Sequence, residues 1–382
     1  MLTPPNTQAA HERLVAIERA RRTVIAEGKS AVAVSGNFWQ GRNYIEDSWQ
    51  RCLHDGYTPS RAVEFDMVSP AIVSRTKDSN HALFEAGRPI LGRIGRAIAD
   101  TRYFAILTNE FGVVVDANGP IDRRDRRAEL ITRTGVDLSE KSIGTSAIGT
   151  ALHQLQPVWL HRGEHFFAGL SHYSCAGAPV FNPDGQCAGM LDLTGIEQPE
   201  RPELVHLVTQ AARSIENMLT LNRPHALLVR INWPGRTLGD ETDGLICLDG
   251  DGWVTGANSA ARQMVQQFGN TQGHKAVHCS ELFAMPYENL FNAARCDSSK
   301  PIDAPLWSGL RLNALALPWG QSASPIRGEG QVTDQMPLRD VEIAMIRKAI
   351  EDAKGNVVMA ARMLGISRAT VYRKLELAKR QS

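Results

Sequence analysis

A short stretch in the middle of the sequence concentrates side chains that can bind a metal ion or transfer protons. His161, Glu164 and His165 fit the pattern H-x-x-E-H, and His172 and Cys175 follow soon after. Two histidines one helical turn apart can hold zinc, and a carboxylate between them can activate a water molecule. One hypothesis is therefore a metal-dependent hydrolase that uses His161, Glu164 and His165.

The surrounding residues disfavour that hydrolase. Gly163 lies inside the helix that the pattern requires, and the preceding segment 157–160 reads as a strand. A second hypothesis keeps the metal without the catalysis, because imidazole and thiolate suit iron or zinc in a sensor. Its ligands would be His161, His165, His172 and Cys175. Histidines in a sensor pocket more often form hydrogen bonds with a polar ligand, so we expect no bound metal ion and no cofactor.

The elements around this stretch indicate an antiparallel sheet with flanking helices. One hairpin is predicted over Arg102 to Asp116, with a polar turn at Asn109 to Gly112. A second runs from Cys175 to Leu193, and its turn, Asn182 to Gly185, places proline and glycine where a type I turn favours them. Apolar spacing predicts helices over Asn43 to His54, Ile143 to His153 and Pro202 to Leu221.

The carboxyl-terminal residues predict a helix-turn-helix. Asn356 is a good N-cap, Gly365 ends the first helix, and Ser367 caps the next one. A preceding helix, Leu338 to Asp352, would supply the packing that two helices lack alone. From Lys354 to Ser382 the sequence has seven basic residues and one acidic residue, in a chain of formal net charge +1. The positive charge is concentrated where DNA phosphates would be met.

This tail resembles the Fis-type DNA-binding domain of bacterial enhancer-binding activators. The shared features are a Gly-Asn, a pair of alanines, Leu-Gly-Ile-Ser and Tyr-Arg-Lys-Leu. The resemblance implies double-stranded DNA as a partner. It assigns DNA contact to Asn356, Ser367, Arg368, Thr370, Arg373 and Lys374.

The region of about 45–220 is similar to the GAF sensor of the activators that control acetoin and glycerol (dihydroxyacetone) catabolism. The similarity rests on five strings: SWQRC from Ser48, IGTSAIGTAL from Ile143, EHF from Glu164, SCAGAPV from Ser174 and GMLDLTG from Gly189. Ser146 stands where that family more often has asparagine. The resemblance implies a small-molecule effector, such as a short alcohol, ketone or diol-related compound. We expect it to be bound by Ser146, His165, His172 and Cys175.

A third segment, from Gly244 to Val265, is similar to the opening of a PAS domain. It predicts a strand, a turn at Asp249 to Gly252, a second strand and a helix begun near Asn258. The expected fold class is multidomain α+β, with GAF-like and PAS-like antiparallel-sheet domains before an all-α helix-turn-helix. The predicted segments are an N-terminal helical region (1–80), a GAF-like domain (81–221), a linker (222–240), a PAS-like domain (241–317), a linker (318–336) and the Fis-type domain (337–382).

The composition fits a multidomain globular protein. Hydrophobic residues make up 43% and charged residues 22%, and no run approaches the ~20 apolar residues that a membrane helix needs. The amino terminus has no secretion-signal pattern, and the six cysteines include no C-x-x-C pair. We expect a cytoplasmic protein that does not contact membranes. A second metal-like trio, His274, His278 and Cys279, is interpreted as solvated loop residues.

The resembled activators usually carry an ATPase module that interacts with sigma-54, between the sensor and the DNA-binding domain. Its phosphate-binding pattern, G-x-x-x-x-G-K-[ST], does not occur here, since Thr23 stands where the first glycine before Gly28-Lys29-Ser30 would be. We therefore expect no enzymatic activity and a homodimeric regulator that responds to its effector without ATP hydrolysis, and RNA polymerase is a candidate partner. The alternative is a nucleoid-structuring protein whose GAF-like and PAS-like domains serve only to oligomerise it.

Overall fold

The computed structural model describes residues 7–30, 42–65, 68–268 and 276–318, together with Val357. The chain divides into two compact units, residues 1–323 and 324–382. The elements described below belong to the first unit. In the second unit, Val357 lies in a helix.

The first part of the chain builds a five-stranded antiparallel sheet. Its strands are β1 (Tyr103–Asn109), β2 (Val114–Asn118), β3 (Val158–His161), β4 (Tyr173–Phe181) and β5 (Cys187–Ile196). They lie in the order β2-β1-β5-β4-β3. Both predicted hairpins, β1–β2 and β4–β5, are confirmed. All seven residues of β1 are buried, so both faces of the sheet are covered.

Helices provide that cover. They are α1 (Thr7–Arg21), α2 (Asn43–His54), α3 (Pro70–Ser79), α4 (His81–Ala97), α5 (Arg126–Ile131), α6 (Glu140–Ile143), α7 (Ala147–Gln154) and α8 (Leu204–Leu221). On one face, α4 and α8 pack against each other and against the sheet. On the other face, α2 and α7 enclose a second core that includes the fully buried Trp49. A π-helical turn, Arg22–Ala26, continues α1.

The single helix predicted over Ile143 to His153 is wrong, because the structure contains two. Gly144 separates α6 from α7 at a φ of 65°, in the left-handed region that glycine adopts most easily. A Cβ at this position would lie 2.8 Å from the ring of Phe167, which leaves no room for a side chain. Ser146 then begins α7 by accepting a hydrogen bond from the backbone N–H of Gly149 at 3.1 Å.

A second five-stranded antiparallel sheet follows α8. It consists of β6 (Leu227–Asn232), β7 (Gly244–Leu248), β8 (Val254–Ala257), β9 (Ile302–Pro305) and β10 (Arg311–Pro318), in the order β8-β7-β6-β10-β9. Its helices are α9 (Ser259–Met264), α10 (Cys279–Leu282) and α11 (Glu288–Cys296). The predicted strand–turn–strand–helix sequence is confirmed, and Asn258 caps α9 by accepting from the N–H of Ala261 at 2.8 Å.

One strand of this sheet contradicts the predicted linker over 222–240. β6 occupies Leu227–Asn232, all six of its residues are buried, and it is the central strand of the sheet. The proline and glycine residues on either side of this short apolar run suggested a linker, although the run itself is long enough for a strand. The other predicted boundaries stay predictions.

The two sheets meet at the β4–β5 turn and at α8. The carbonyl oxygen of Pro183 accepts hydrogen bonds from Arg262 Nη2 at 2.7 Å and from the N–H of Ala257 at 2.8 Å. Beside them the buried carboxylate of Glu216 accepts from the N–H of Phe181 at 3.0 Å and from Ser259. One helix, α8, therefore has polar contacts with both sheets.

The two antiparallel sheets with their flanking helices confirm the predicted α+β fold class for the described residues of the first unit. Among the helices of the described ranges, none has both the length and the apolar content to cross a bilayer.

Candidate ligand-binding cavity

A small cavity lies between the first sheet and the helical layer that contains α7. Its volume is about 30 Å³, which is larger than the ~10–15 Å³ that one water molecule requires. Most of its wall is apolar, and its polar residues come from the sheet, from the start of α7 and from the loop after β3. The lining residues are Phe65, Ile106, Ile131, Leu138, Ile143, Ser146, Ala147, Ile148, His165, Leu170, Tyr173, Cys175, Asp192 and Thr194.

Three of the four predicted effector-binding residues meet at this cavity. Ser146, His165 and Cys175 all line it, although Cys175 lies on β4 and the other two lie on separate loops. His172 does not line it. Its imidazole lies against the ring of Tyr173, with the ring centroids 4.2 Å apart and the planes tilted by 47°, and burial lowers the pKa of the imidazole. The structure therefore does not bring His172 together with the other three, because it immediately precedes β4 and is only partly buried.

A chain of polar contacts connects His165 to Asp192. His165 Nδ1 lies 2.9 Å from the carbonyl oxygen of Arg162, which can only accept, so Nδ1 carries the ring proton. The lone pair on Nε2 then faces Cys175 Sγ at 3.7 Å, and the same sulfur lies 3.5 Å from Thr194 Oγ1. Thr194 in turn donates to Oδ2 of Asp192. The thiol thus lies between an imidazole and a hydroxyl.

Burial sets the charge states in this chain of contacts. It lowers the pKa of His165 to about 4 and raises the pKa of the Cys175 thiol, so both groups are neutral near pH 7. It also raises the pKa of Asp192 to about 7, and the hydrogen bond from Thr194 only partly offsets that rise. No Lys or Arg is among the described residues that line the cavity. Among the described lining residues, Asp192 is therefore a titratable carboxyl without a compensating cation.

Sequence reasoning missed Asp192 and Thr194. Both fall within the GMLDLTG string, and both are buried, with 1% and 2% of their surface exposed. The available signal was a charged residue inside an otherwise apolar strand. Because burying an unpaired carboxylate costs free energy, such a residue usually has a partner or a function. Their proximity to Cys175 depends on the register of β4 with β5, in which Cys175 is paired with Thr194.

The H-x-x-E-H residues do not form a zinc-peptidase site. His161 ends β3, and Arg162–Glu164 form a single 3-10 turn rather than the α-helix that the pattern requires. His161 Nδ1 lies 2.7 Å from Ser174 Oγ, and burial lowers the pKa of this imidazole to about 4. Among the described residues, no three His, Cys, Asp or Glu side chains are placed to hold a metal ion. The backbone geometry therefore does not provide the helix that the hydrolase hypothesis requires.

Glu164 instead lies at the centre of a buried ionic cluster. Its carboxylate, which is fully buried, accepts from Arg42 Nη1 at 2.7 Å, from Arg13 Nη2 at 2.9 Å and from the N–H of His161 at 2.7 Å. Burial alone would raise the pKa of this carboxyl, but the two guanidinium groups outweigh it and lower the pKa. The cluster anchors the loop that carries His165 to the cavity.

Two further groups of predicted residues follow the first sheet in the sequence. One is the trio His274, His278 and Cys279, and the other is the set of DNA-contact residues. In the second sheet, His278 caps α10 by accepting from the N–H of Ser280, and Cys279 is buried, whereas His274 lies outside the described residues. The predicted DNA-contact residues also lie outside them. These are Asn356, Ser367, Arg368, Thr370, Arg373 and Lys374.

Two family models match the chain. The model described as MimR, N-terminal domain, matches residues 18–217, which contain the whole first sheet and its cavity. The model described as bacterial regulatory protein, Fis family, matches residues 337–376. The second match covers the predicted helix-turn-helix and all six of the predicted DNA-contact residues.

Several curated proteins similar to this chain are named as regulators of transcription or of catabolism. The acetoin catabolism regulatory protein of Cupriavidus necator is 29% identical over 259 residues, which cover 65% of this chain and 37% of the relative. The propane 2-monooxygenase operon transcriptional activator MimR of Mycolicibacterium smegmatis is 29% identical over 211 residues, which cover 54% and 33%. The signal-transduction and transcriptional-control protein of Clostridium beijerinckii is 28% identical over 228 residues, which cover 58% and 35%. The chain thus spans about a third of the length of these relatives.

Solved structures similar to this chain include the Escherichia coli DhaR(N)–DhaL complex. That match covers 72% of this chain and 99% of the other, at 17% identity and a TM-score of 0.43. The free methionine-R-sulfoxide reductase of Neisseria meningitidis matches 41% of this chain, at 18% identity and a TM-score of 0.26.

Proposed function

The chain belongs to the MimR N-terminal domain family, and from that membership we propose that it is a DNA-binding transcription regulator of a catabolic operon. The regulator responds to a small metabolite through its first domain and binds a specific DNA sequence through its Fis-type tail. The observation that most supports the proposal is the cavity of the first domain, where Ser146, His165 and Cys175 meet. A few polar groups that converge on a mainly apolar cavity are typical of a site for a small ligand.

The effector is a short alcohol, ketone or diol-related compound. The names of the relatives support this class, since one refers to acetoin and another to propane oxidation. The size of the cavity also supports it, because about 30 Å³ accommodates only a few non-hydrogen atoms. Ser146, His165 and Cys175 contact the ligand. A redox role for Cys175 is disfavoured, because burial raises the pKa of its thiol.

The tail contacts DNA through the second helix of its helix-turn-helix. A recognition helix lies in the major groove and contacts base edges from its amino-terminal residues, while basic residues nearby meet phosphates. The proposed contacts are Asn356, Ser367, Arg368, Thr370, Arg373 and Lys374. A homodimer would present two such helices, so its operator is a near-palindrome with half-sites about 34 Å apart or a multiple of that distance.

Regulation by this chain does not use ATP hydrolysis. The sequence contains no G-x-x-x-x-G-K-[ST] pattern, so the backbone loop that holds nucleotide phosphates is not encoded in these residues. The effector would instead change the geometry or stability of the dimer that positions the two recognition helices. RNA polymerase is the further partner through which bound regulator would affect transcription.

Selection of duplexes from a random-sequence library by the full chain, at about 0.15 M salt, tests this function. A sequence-specific regulator enriches one two-fold symmetric motif, because base contacts discriminate by ~1–3 kcal/mol per position. A nucleoid-structuring protein retains DNA without enriching any motif, and that result would overturn the proposal. Repeating the selection across salt concentrations separates the phosphate contribution, which falls with salt, from base recognition.

A further inference from the structure

Asp192 has one carboxylate oxygen that no described residue satisfies. Oδ2 accepts from Thr194 Oγ1, but Oδ1 is buried and receives no hydrogen bond from the described part of the chain. The residue is 1% exposed, lies on the central strand β5 and lines the cavity. Buried polar atoms are nearly always paired, so an unpaired carboxylate oxygen at a cavity wall indicates a partner that the protein itself does not supply.

The other polar groups around the cavity are already engaged. Ser146 accepts from the N–H of Gly149, and the proton on His165 Nδ1 is held by the carbonyl of Arg162. Cys175 has a single S–H proton, which it can share with either His165 or Thr194. A ligand would therefore find its strongest unsatisfied acceptor at Oδ1 of Asp192.

The geometry points to Asp192 as the anchor of the effector, and we propose that it selects a small uncharged ligand with a hydroxyl group that donates to Oδ1. This inference rests on the proposed effector role of the cavity, narrows the proposed ligand class to compounds with a hydroxyl group, and names the residue that selects them. The described residues around the ligand hydroxyl carry no positive charge, since none of those that line the cavity is Lys or Arg and His165 is neutral. A ligand carboxylate would face Asp192 with nothing to neutralise it, so acids are excluded.

Thr194 is a positioning residue in this arrangement. Its hydroxyl donates to Oδ2 and so fixes the carboxyl plane, which leaves Oδ1 as the oxygen available to the ligand. The apolar residues of the wall, such as Ile106, Ile131 and Leu170, would contact the carbon skeleton. The preferred ligand is therefore a short aliphatic alcohol or diol, and its few atoms limit the affinity to a Kd of about 0.1 mM or weaker.

The test compares three-carbon probes on the full wild-type chain by calorimetry or ligand-observed NMR, at about pH 8, where Asp192 is ionised. The probes are propan-2-ol, propane-1,2-diol, acetone, propionate and propylamine. We expect both alcohols to bind at least about 10-fold more tightly than acetone, because only they donate to a charged acceptor. Propionate binding as tightly as the alcohols would overturn the inference, and so would tighter binding of propylamine, which would make Asp192 the partner of a cation.

The variant Asp192→Asn keeps the shape and replaces the charged acceptor by an amide. We expect the ratio of alcohol affinity to acetone affinity to fall by about 10-fold or more, since the amide N–H₂ can donate to a carbonyl. A ratio is insensitive to a general loss of folded protein. Asp116→Asn, which changes a half-buried carboxyl on β2 outside the cavity wall, is the matched control and should leave the ratio unchanged.

An unchanged ratio in Asp192→Asn would remove Asp192 as the anchor. Failure of every probe to bind would overturn the ligand class, while retained selection of a DNA motif by the same preparation would leave the DNA-binding proposal intact. Conversely, alcohol binding without any DNA selection would support the cavity assignment and contradict the proposed function.

Discussion

The guanidinium of Arg42 and the carboxylate of Glu164 form a two-point ion pair inside the first domain, 122 residues apart in the sequence. Nη1 lies 2.7 Å from Oε1 and Nη2 lies 2.9 Å from Oε2. Arg42 Nη2 also donates to the carbonyl of Trp159 at 2.6 Å. Since His165 follows Glu164 directly, this pair fixes the position of one wall of the cavity.

Replacing Glu164 by glutamine should destabilise the protein by about 3–5 kcal/mol, because the charged pairs that Glu164 forms with the largely buried Arg42 and Arg13 would be lost. The free energy of unfolding in urea measures this cost. Glu27→Gln is the matched control, since the Lys29–Glu27 pair is exposed and such pairs contribute about 0–1 kcal/mol. Equal effects of the two substitutions would show that the cluster does not stabilise the fold.

Removing the Asp192 carboxyl should change how stability depends on pH. The folded pKa of Asp192 is raised to about 7, so the folded state keeps a proton that the unfolded chain loses near pH ~4. The stability that this group contributes is thus fully present below that pH and is lost as pH rises towards 7. The stability of wild type minus that of Asp192→Asn should fall by up to about 1.4 kcal/mol per pH unit between pH ~4.5 and ~6.5.

Chemical unfolding at several pH values checks this slope. His161 and His165, whose folded pKa values of about 4 produce a slope of the opposite sign, are present in both proteins and cancel in the difference. A difference that is independent of pH would mean that Asp192 titrates normally.

Glu216 should couple the two sheets. Its carboxylate accepts from the N–H of Phe181 at the end of β4 and from Ser259 at the start of α9. Glu216→Ala leaves the Phe181 N–H without a partner, which costs about 1–3 kcal/mol, and should accelerate amide exchange at Phe181. Glu203→Ala, at an exposed position just before α8, is the control and should leave that exchange unchanged. An unaltered rate of amide exchange at Phe181 in Glu216→Ala would show that other contacts couple the two sheets.

Arg368→Ala should lower the affinity for the selected operator by ~1–3 kcal/mol and relax the preference at one base pair, if its side chain contacts a base edge. Lys379→Ala should only reduce the salt dependence of binding, because a distal lysine would meet phosphate. Fluorescence anisotropy at two salt concentrations distinguishes the two. Identical behaviour of the variants would remove Arg368 from the proposed base contacts.

Local signals in the sequence were sufficient for the β4–β5 turn and for helix α2 of the first domain, although they merged α6 and α7 into one helix. The turn at Asn182 to Gly185 was predicted from proline and glycine placement, and Asn182 O accepts from the N–H of Gly185 at 2.9 Å as a type I turn requires. Helix α2 begins and ends where its apolar spacing predicted. These features depend on residues that are close in the sequence, so they can be recognised from the sequence alone.

Contacts between distant residues were not visible. Glu164 is paired with Arg13 across 151 residues, and no local pattern connects those positions. The role of Asp192 likewise depends on strand register, which places Thr194 opposite Cys175. β6 was missed for a different reason, since its short apolar run lies beside proline and glycine residues that favour loops.

The most direct test of the account is the affinity of the full chain for its selected operator, measured with and without propan-2-ol, in wild type and in Asp192→Asn. We predict that the alcohol changes the operator Kd of wild type by about 5-fold or more, in either direction, and that Asp192→Asn binds the operator equally well but responds at least about 5-fold less. An operator affinity in wild type that is unaffected by saturating alcohol would contradict the account, because the cavity would then have no influence on DNA binding.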